Sequence, residues 1–209
     1  MKILHISCSP RGTEAESYRL AHRIIGRLLQ RHPQSRLLTR TLGDGRIPHI
    51  DENYAQAQQS AASAAAAADH PFGSVAVSDE LIGELESADV VVIGTPMHNL
   101  TLPSSLKAWI DHVVRAHRTF RLSSEGKTGV LRDRPVYVAI ASGGRFSGEG
   151  VRQQDFLTPY LRIVLGTIGL HDITFFSVEG TGAGPEAIAA GREKAERQLQ
   201  THFTSPACV

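Results

Sequence analysis

Three short segments of the 209-residue chain carry side chains with chemistry to offer. The first is Ser7-Cys8-Ser9-Pro10-Arg11-Gly12-Thr13-Glu14-Ala15-Glu16-Ser17, which mixes hydroxyls with a glycine just ahead of an amphipathic run. Backbone N–H groups and hydroxyl donors gathered at a helix N-terminus suit an anion. Ser17 serves equally well as a helix cap. The second is Gly94-Thr95-Pro96-Met97-His98-Asn99-Leu100, where a proline, an amide side chain and fresh backbone donors suit a flat heterocycle. The third is Ala141-Ser142-Gly143-Gly144, whose paired glycines let a backbone approach a ligand closely and aim N–H groups at it. The first segment has neither G-x-x-x-x-G-K-[ST] nor G-x-G-x-x-G, which disfavours a P-loop nucleotidase and a Rossmann dinucleotide site.

Each segment comes after an apolar run that reads as a strand. Lys2 to Ile6 is short and apolar-rich, Val90 to Ile93 is β-branched throughout, and Val136 to Ile140 is similar. Arg36 to Arg40 and Ile173 to Val178 read as two further strands. Between them, helical spacing of apolar residues predicts helices over Tyr18 to Arg31, Asp79 to Ser87, Pro103 to His117, Phe156 to Ile168, and from Gly184-Pro185 to about Thr201. In the fourth of these, Phe156, Tyr160 and Val164 are placed on the inward face. Residues from about 52 to 77 include an alanine-rich stretch without a large apolar stripe and read as a surface excursion. The tail, about 204–209, reads as disordered.

Five alternating β-α units predict one α/β domain spanning 1–209, with a doubly wound five-stranded parallel sheet. The length leaves no room for a sixth unit, which favours the flavodoxin-like order 2-1-3-4-5. In such a sheet ligands bind beyond the carboxyl ends of the strands, where the strand order reverses. The three segments fall at those ends. Together they point to a flavin mononucleotide (FMN) site.

Composition narrows the class further. With 22 basic and 21 acidic residues, a basic nucleic-acid-binding face is not expected. No apolar run approaches the ~20 residues of a spanning helix, and Met1 to Ile6 enters a strand pattern without a signal-peptide core. Two cysteines, Cys8 and Cys208, make no disulfide framework, so a reducing cytoplasm is expected. Cys8 sits where a low-molecular-weight tyrosine phosphatase has its nucleophile, but that chemistry needs C-x-x-x-x-x-R and Glu14 occupies the arginine position. Cys8 is therefore expected to be a packing residue. The ten histidines have no C-x-x-C or H-E-x-x-H context, so no metal site is expected.

The chain resembles the FMN-dependent NADH:quinone oxidoreductases known as azoreductases. Thr95-Pro96-Met97-His98-Asn99 is similar to that family's P-M-Y-N loop. Further blocks stand in the family's order: Arg46-Ile47-Pro48, Thr119-Phe120-Arg121, Ser142-Gly143-Gly144, Thr158-Pro159-Tyr160-Leu161, Gly166-Thr167-Ile168-Gly169, Glu179-Gly180 and Gly184-Pro185-Glu186. The resemblance covers nearly the whole chain apart from the alanine-rich excursion. It implies that Ser9 and Ala15-Glu16-Ser17 sit at the FMN phosphate. It also implies that Pro96, Met97, His98, Asn99 and Leu100 line the isoalloxazine, with Ala141, Ser142, Gly143 and Gly144 over its pyrimidine side. Asn99 would fix the ring, and His98 would either donate a proton to the acceptor or shape the pocket. NADH or NADPH would supply hydride, and a quinone or azo compound would then be reduced by two electrons. A homodimer is implied, with Phe120, read as exposed, covering the partner's pocket. The family usually has Ser-Gln-Ser where this chain has Ala15-Glu16-Ser17. Glu16 therefore either points outward, contributing only its N–H, or weakens FMN binding. The alternative is a flavodoxin-type electron carrier, against which the balanced charge counts, because carriers dock through a charged face.

Overall fold

The computed structural model describes residues 1–60 and 73–204. In chain order its elements are β1 (Lys2–Ser7), α1 (Glu16–Arg31), β2 (Arg36–Thr41), α2 (Glu52–Ser60), α3 (Ser74–Ser87), β3 (Val90–Pro96) and α4 (Ser104–Val113). Next come β4 (Phe120–Ser123), β5 (Gly126–Gly129), β6 (Val136–Ser142), α5 (Thr158–Thr167), β7 (Ile173–Glu179) and α6 (Pro185–Thr204). The main sheet is parallel with order β2-β1-β3-β6-β7, which is 2-1-3-4-5 when its own five strands are counted. The order reverses between β1 and β3.

Successive strand residues point to opposite faces, and two cores result. Leu4, Ile6, Val91, Ile93, Val138 and Ile140 pack on one side against α3, α4 and α5. Ile3, Val90, Val92, Ala139 and Phe176 pack on the other against α1 and α6. Trp109 of α4 is almost wholly buried, and burying such a side chain contributes ~2–3 kcal/mol. A sheet covered on both faces explains why β3 reads as one continuous β-branched run.

Four features differ from the sequence expectation, each for a visible reason. Helix α4 stops at Val113 rather than His117, because the Thr119 hydroxyl donates to the Val113 carbonyl (2.6 Å) and ends the ladder. Helix α5 starts at Thr158, since Asp155 accepts from the Leu157 and Thr158 N–H groups, each at 2.9 Å. Phe156 thus falls outside the helix and is 58% exposed instead of inward-facing. Helix α3 begins at Ser74, whose N–H and hydroxyl both donate to Asp51 (3.1 and 2.6 Å). Asp51 also accepts from the Tyr54 N–H (2.9 Å), and the buried Tyr54 donates its hydroxyl to the Asp111 carbonyl of α4 (3.0 Å). The described ends of the 52–77 excursion, helical at Glu52–Ser60, are therefore tied to the core. Its alanine-rich middle and the 205–209 tail lie outside the described residues.

The fourth difference is the antiparallel hairpin β4–β5, which apolar periodicity does not predict. It is anchored by Phe120, only 6% exposed and packed in the core beside α4 and α5. Gly129 lies so close to Gly169 that a Cβ there would sit 2.1 Å from the Gly169 nitrogen. This corrects the expectation that Phe120 is exposed: its ring faces its own subunit's core, with the Lys127 ammonium 5.1 Å from the ring centre.

Candidate functional site

The three chemistry-bearing segments leave the adjacent strands β1, β3 and β6 at the carboxyl end of the sheet. Ser7 of β1 is in register with Gly94 of β3, and Pro96 with Ala141 of β6. Hydrogen bonds continue past the strand ends: the Cys8 N–H donates to the Gly94 carbonyl (2.9 Å), and the Met97 N–H to the Ala141 carbonyl (2.8 Å). The sheet thus delivers residues 9–17, 96–100 and 141–144 to one place.

After β1 the chain passes through a short 3-10 turn, Gly12–Glu14, into α1. Ser9 and Ser17 are buried. Ala15 is the N-cap of α1 and offers no side-chain acceptor, so the first-turn N–H groups lack a cap. Ser17, read from sequence as a capping residue, lies inside the helix, fully buried, with no hydrogen-bond partner for its hydroxyl. Buried hydroxyls are normally paired, and this unpartnered one lies beside an uncapped helix end, where backbone N–H groups can receive an anion. The Glu16 carboxylate is held from the side of α6 by the Arg192 guanidinium (2.8 and 2.6 Å). Cys8 is completely buried, and burial pushes its thiol well above the usual range. A thiol held protonated is a packing group and not a nucleophile.

After β3, His98 and Thr101 exchange two backbone hydrogen bonds of 2.9 Å, closing a two-residue turn over Asn99 and Leu100. Both turn residues have positive φ, 48° and 70°. A leucine in that region is strained by ~1–2 kcal/mol, and such strain gathers at functional loops. The turn is held from the other side by the Phe156 N–H, which donates to the Leu100 carbonyl (3.1 Å). His98 and Asn99 are exposed, and among the described residues neither side chain makes a hydrogen bond. Met97 is pinned beneath: the Ser142 hydroxyl lies 3.7 Å from its Sδ and the Gln153 amide 3.0 Å.

After β6 the glycine segment is fastened by residues 180–182, just beyond β7. The Thr181 hydroxyl donates to the Ser142 carbonyl (3.1 Å), the Gly182 N–H to the Gly143 carbonyl (3.1 Å) and the Gly180 N–H to the Gly144 carbonyl (3.3 Å). A Cβ on Gly143 would meet nothing within 4 Å, so that face is open. Beyond it, Glu179 accepts from the Phe146 and Ser147 N–H groups (2.8 and 3.0 Å) and from the hydroxyls of Ser177 (2.8 Å) and Ser147. Burial alone would raise the pKa of this carboxyl, but those donors hold it below the usual range.

Glu179, Gln153, Thr181 and Arg192 are the residues that sequence reasoning missed. They act across the chain, and only the Glu179-Gly180 pair carried any signal, through its resemblance to a family block. Phe120 stands on the β4–β5 hairpin rather than beyond a strand of the main sheet. The exposed apolar side chain of its hairpin is Leu122, at 60%.

A family model described as flavodoxin-like fold matches residues 1–203. The chain is 46% identical over 211 aligned residues to the FMN-dependent NADH:quinone oxidoreductase 4 of Pseudomonas fluorescens, covering 99% of this chain and 98% of that protein. It is 42% identical over 193 residues to the FMN-dependent NADH:quinone oxidoreductase 2 of Cupriavidus pinatubonensis, with 92% and 93% coverage. Among solved structures, an azoreductase from Bacillus anthracis superposes with a TM-score of 0.79 at 25% identity, over 96% of this chain and 99% of that one. Sheet order, loop placement and end-to-end similarity agree, and the chain belongs to the flavodoxin-like family of FMN-dependent NADH:quinone oxidoreductases.

Proposed function

We propose that this protein is an FMN-dependent NADH:quinone oxidoreductase that also reduces azo compounds, by a two-stroke reaction in one pocket. The observation that carries the reading is the meeting of three loops beyond β1, β3 and β6, with an uncapped helix end and an orphaned buried hydroxyl on one flank. The residues fit FMN in kind: an anion site at Ser9 and Ala15–Ser17, a strained turn for a ring edge, and an open glycine segment.

In this reading FMN, when bound, supplies the hydride chemistry that links NADH to the acceptor. The protein's part is to bind and orient. Ser9, Ser17 and the N–H groups of Glu16 and Ser17 would hold the phosphate, while the Ala15 N–H is taken by the Gly12 carbonyl (3.2 Å). Pro96 to Leu100 would line the ring, and the Asn99 amide would fix it. Ser142 to Gly144 would present N–H groups to the ring's pyrimidine side, supplying electrostatic stabilisation by fixed dipoles. His98 shapes the open side of the pocket. NADH is the reductant, and a quinone or azo compound then enters the same space. Initial rates with varied NADH and quinone should give parallel double-reciprocal lines, as expected for a ping-pong reaction. Intersecting lines would require both substrates to be bound together and would defeat the two-stroke reading.

The exposed apolar residues Leu100, Phe156, Leu122 and Ile163 support a homodimer that covers the pocket's open side. Leu122, rather than the buried Phe120, is the hairpin side chain free to reach a partner. Sedimentation should give twice the chain mass, and a fully active monomer would contradict the dimer. A free buried Cys8 supports a reducing, cytoplasmic setting. Among the described residues no helix is long and apolar enough to cross a membrane.

A further inference from the structure

Glu16 is an unexpected residue at the end of α1, because a carboxylate there competes for the same N–H groups as a phosphate. The structure shows how the competition is avoided. Both carboxylate oxygens are taken by the planar fork of Arg192, twelve residues before the end of α6: Nε to Oε2 at 2.8 Å and Nη2 to Oε1 at 2.6 Å. Arg19, one turn along α1, approaches the same carboxylate at 3.5 Å but is engaged by Glu14 at 2.7 Å. The Glu16 side chain is only 14% exposed, so it is enclosed by these partners rather than free to swing. Arg192 hydrogen-bonding, then the nearby positive charges of Arg19 and Arg11, hold its carboxyl below the usual range, and it is ionised at any working pH. Meanwhile Ser17, the next residue, has a fully buried hydroxyl with no partner, and Ala15 leaves the helix uncapped.

We propose that Arg192 is a positioning residue for the phosphate site: by holding and neutralising the Glu16 carboxylate on the α6 side, it keeps the end of α1 open to a phosphate monoester. Arg192 itself touches no ligand. It acts through Glu16, and a bidentate guanidinium fork does so better than a point charge. The inference rests on the reading of Ser9 to Ser17 as the FMN phosphate segment.

The test is titration of the flavin-stripped full chain with FMN and, separately, with riboflavin, which has the same ring and no phosphate. Flavin fluorescence gives each affinity. Arg192→Ala should weaken FMN about tenfold, because an unneutralised charge is left near a dianion, with riboflavin unchanged. Adding Glu16→Gln to Arg192→Ala should restore FMN affinity to within about twofold of the parent, since the offending charge is gone. High salt should shrink the Arg192→Ala defect. A defect shared equally by riboflavin, or one that Glu16→Gln fails to rescue, would show ordinary structural damage and overturn the proposal. Ser17→Ala distinguishes failure of the clamp from failure of the phosphate site. If it erases the preference for FMN over riboflavin while Arg192→Ala does not, the clamp is wrong and the phosphate site stands. If neither variant alters that preference, the phosphate lies elsewhere and both are wrong.

Discussion

At the scale of single residues, the site is set by side chains that touch no ligand in this reading. Glu179 is the clearest case. Four donors converge on one buried carboxylate and fix the turn just after the glycine segment. Glutamine has the same shape but one acceptor oxygen, and it turns its own N–H2 towards donors. Leaving buried donors unpaired costs ~1–3 kcal/mol. Glu179→Gln should therefore lower the melting temperature and speed amide exchange at Phe146 and Ser147, even without cofactor. Unchanged exchange at those two amides would show that the carboxylate does not hold the loop. Little of this was legible in the sequence. The ligand-facing candidates stand at strand ends, where the β-α alternation announces them. Glu179, Gln153 and Arg192 become visible only when distant segments meet.

Whole elements were more legible, to the extent that their burial is periodic. The β-branched run at β3 and the apolar spacing of α1 come from faces that pack against the same neighbours along their length. Hairpin β4–β5 escaped because one residue, Phe120, anchors it while most of its length is exposed. Helix ends escaped because polar caps decide them, as Thr119 does for α4 and Asp155 for α5. The His98–Thr101 turn makes a prediction at this scale. Leu100 has a φ of 70°, a conformation glycine adopts freely. Leu100→Gly should relieve ~1 kcal/mol of backbone strain while loosening the loop. The variant should melt no lower than the parent yet bind FMN more weakly. A lower melting temperature with unchanged FMN affinity would mean that the leucine serves packing and not the placement of the turn.

For the molecule as a whole, one buried group couples folding to pH. His5 lies in β1, wholly buried, both ring nitrogens unpartnered, with the rings of His22 and Tyr18 at 5.1 and 5.5 Å. Burial, and then the neighbouring His22, lower its pKa from 6.5 to about 4. The unfolded chain therefore takes up a proton below pH 6.5 that the folded chain refuses until about pH 4. Its contribution is fully present above pH 6.5 and is lost as pH falls through that window, by about 3 kcal/mol in all. Denaturant midpoints measured at pH 7.5 and 4.5 should diverge for the parent and move much closer in His5→Val. An equal slope in both would assign the acid sensitivity to other groups.

At the same scale, the near-balance of 22 basic and 21 acidic residues fits an enzyme with small, flat reactants better than a carrier that docks through a charged face. The central claim is that the three loops hold FMN for direct reduction by NADH and reoxidation by a quinone. Rapid anaerobic mixing of the flavin-loaded chain with NADH tests it most directly. The flavin absorbance should bleach by two electrons per site, fast enough to support turnover, and return in a second mix with quinone. Flavin that binds yet is not bleached by NADH would contradict the claim and leave a carrier in its place.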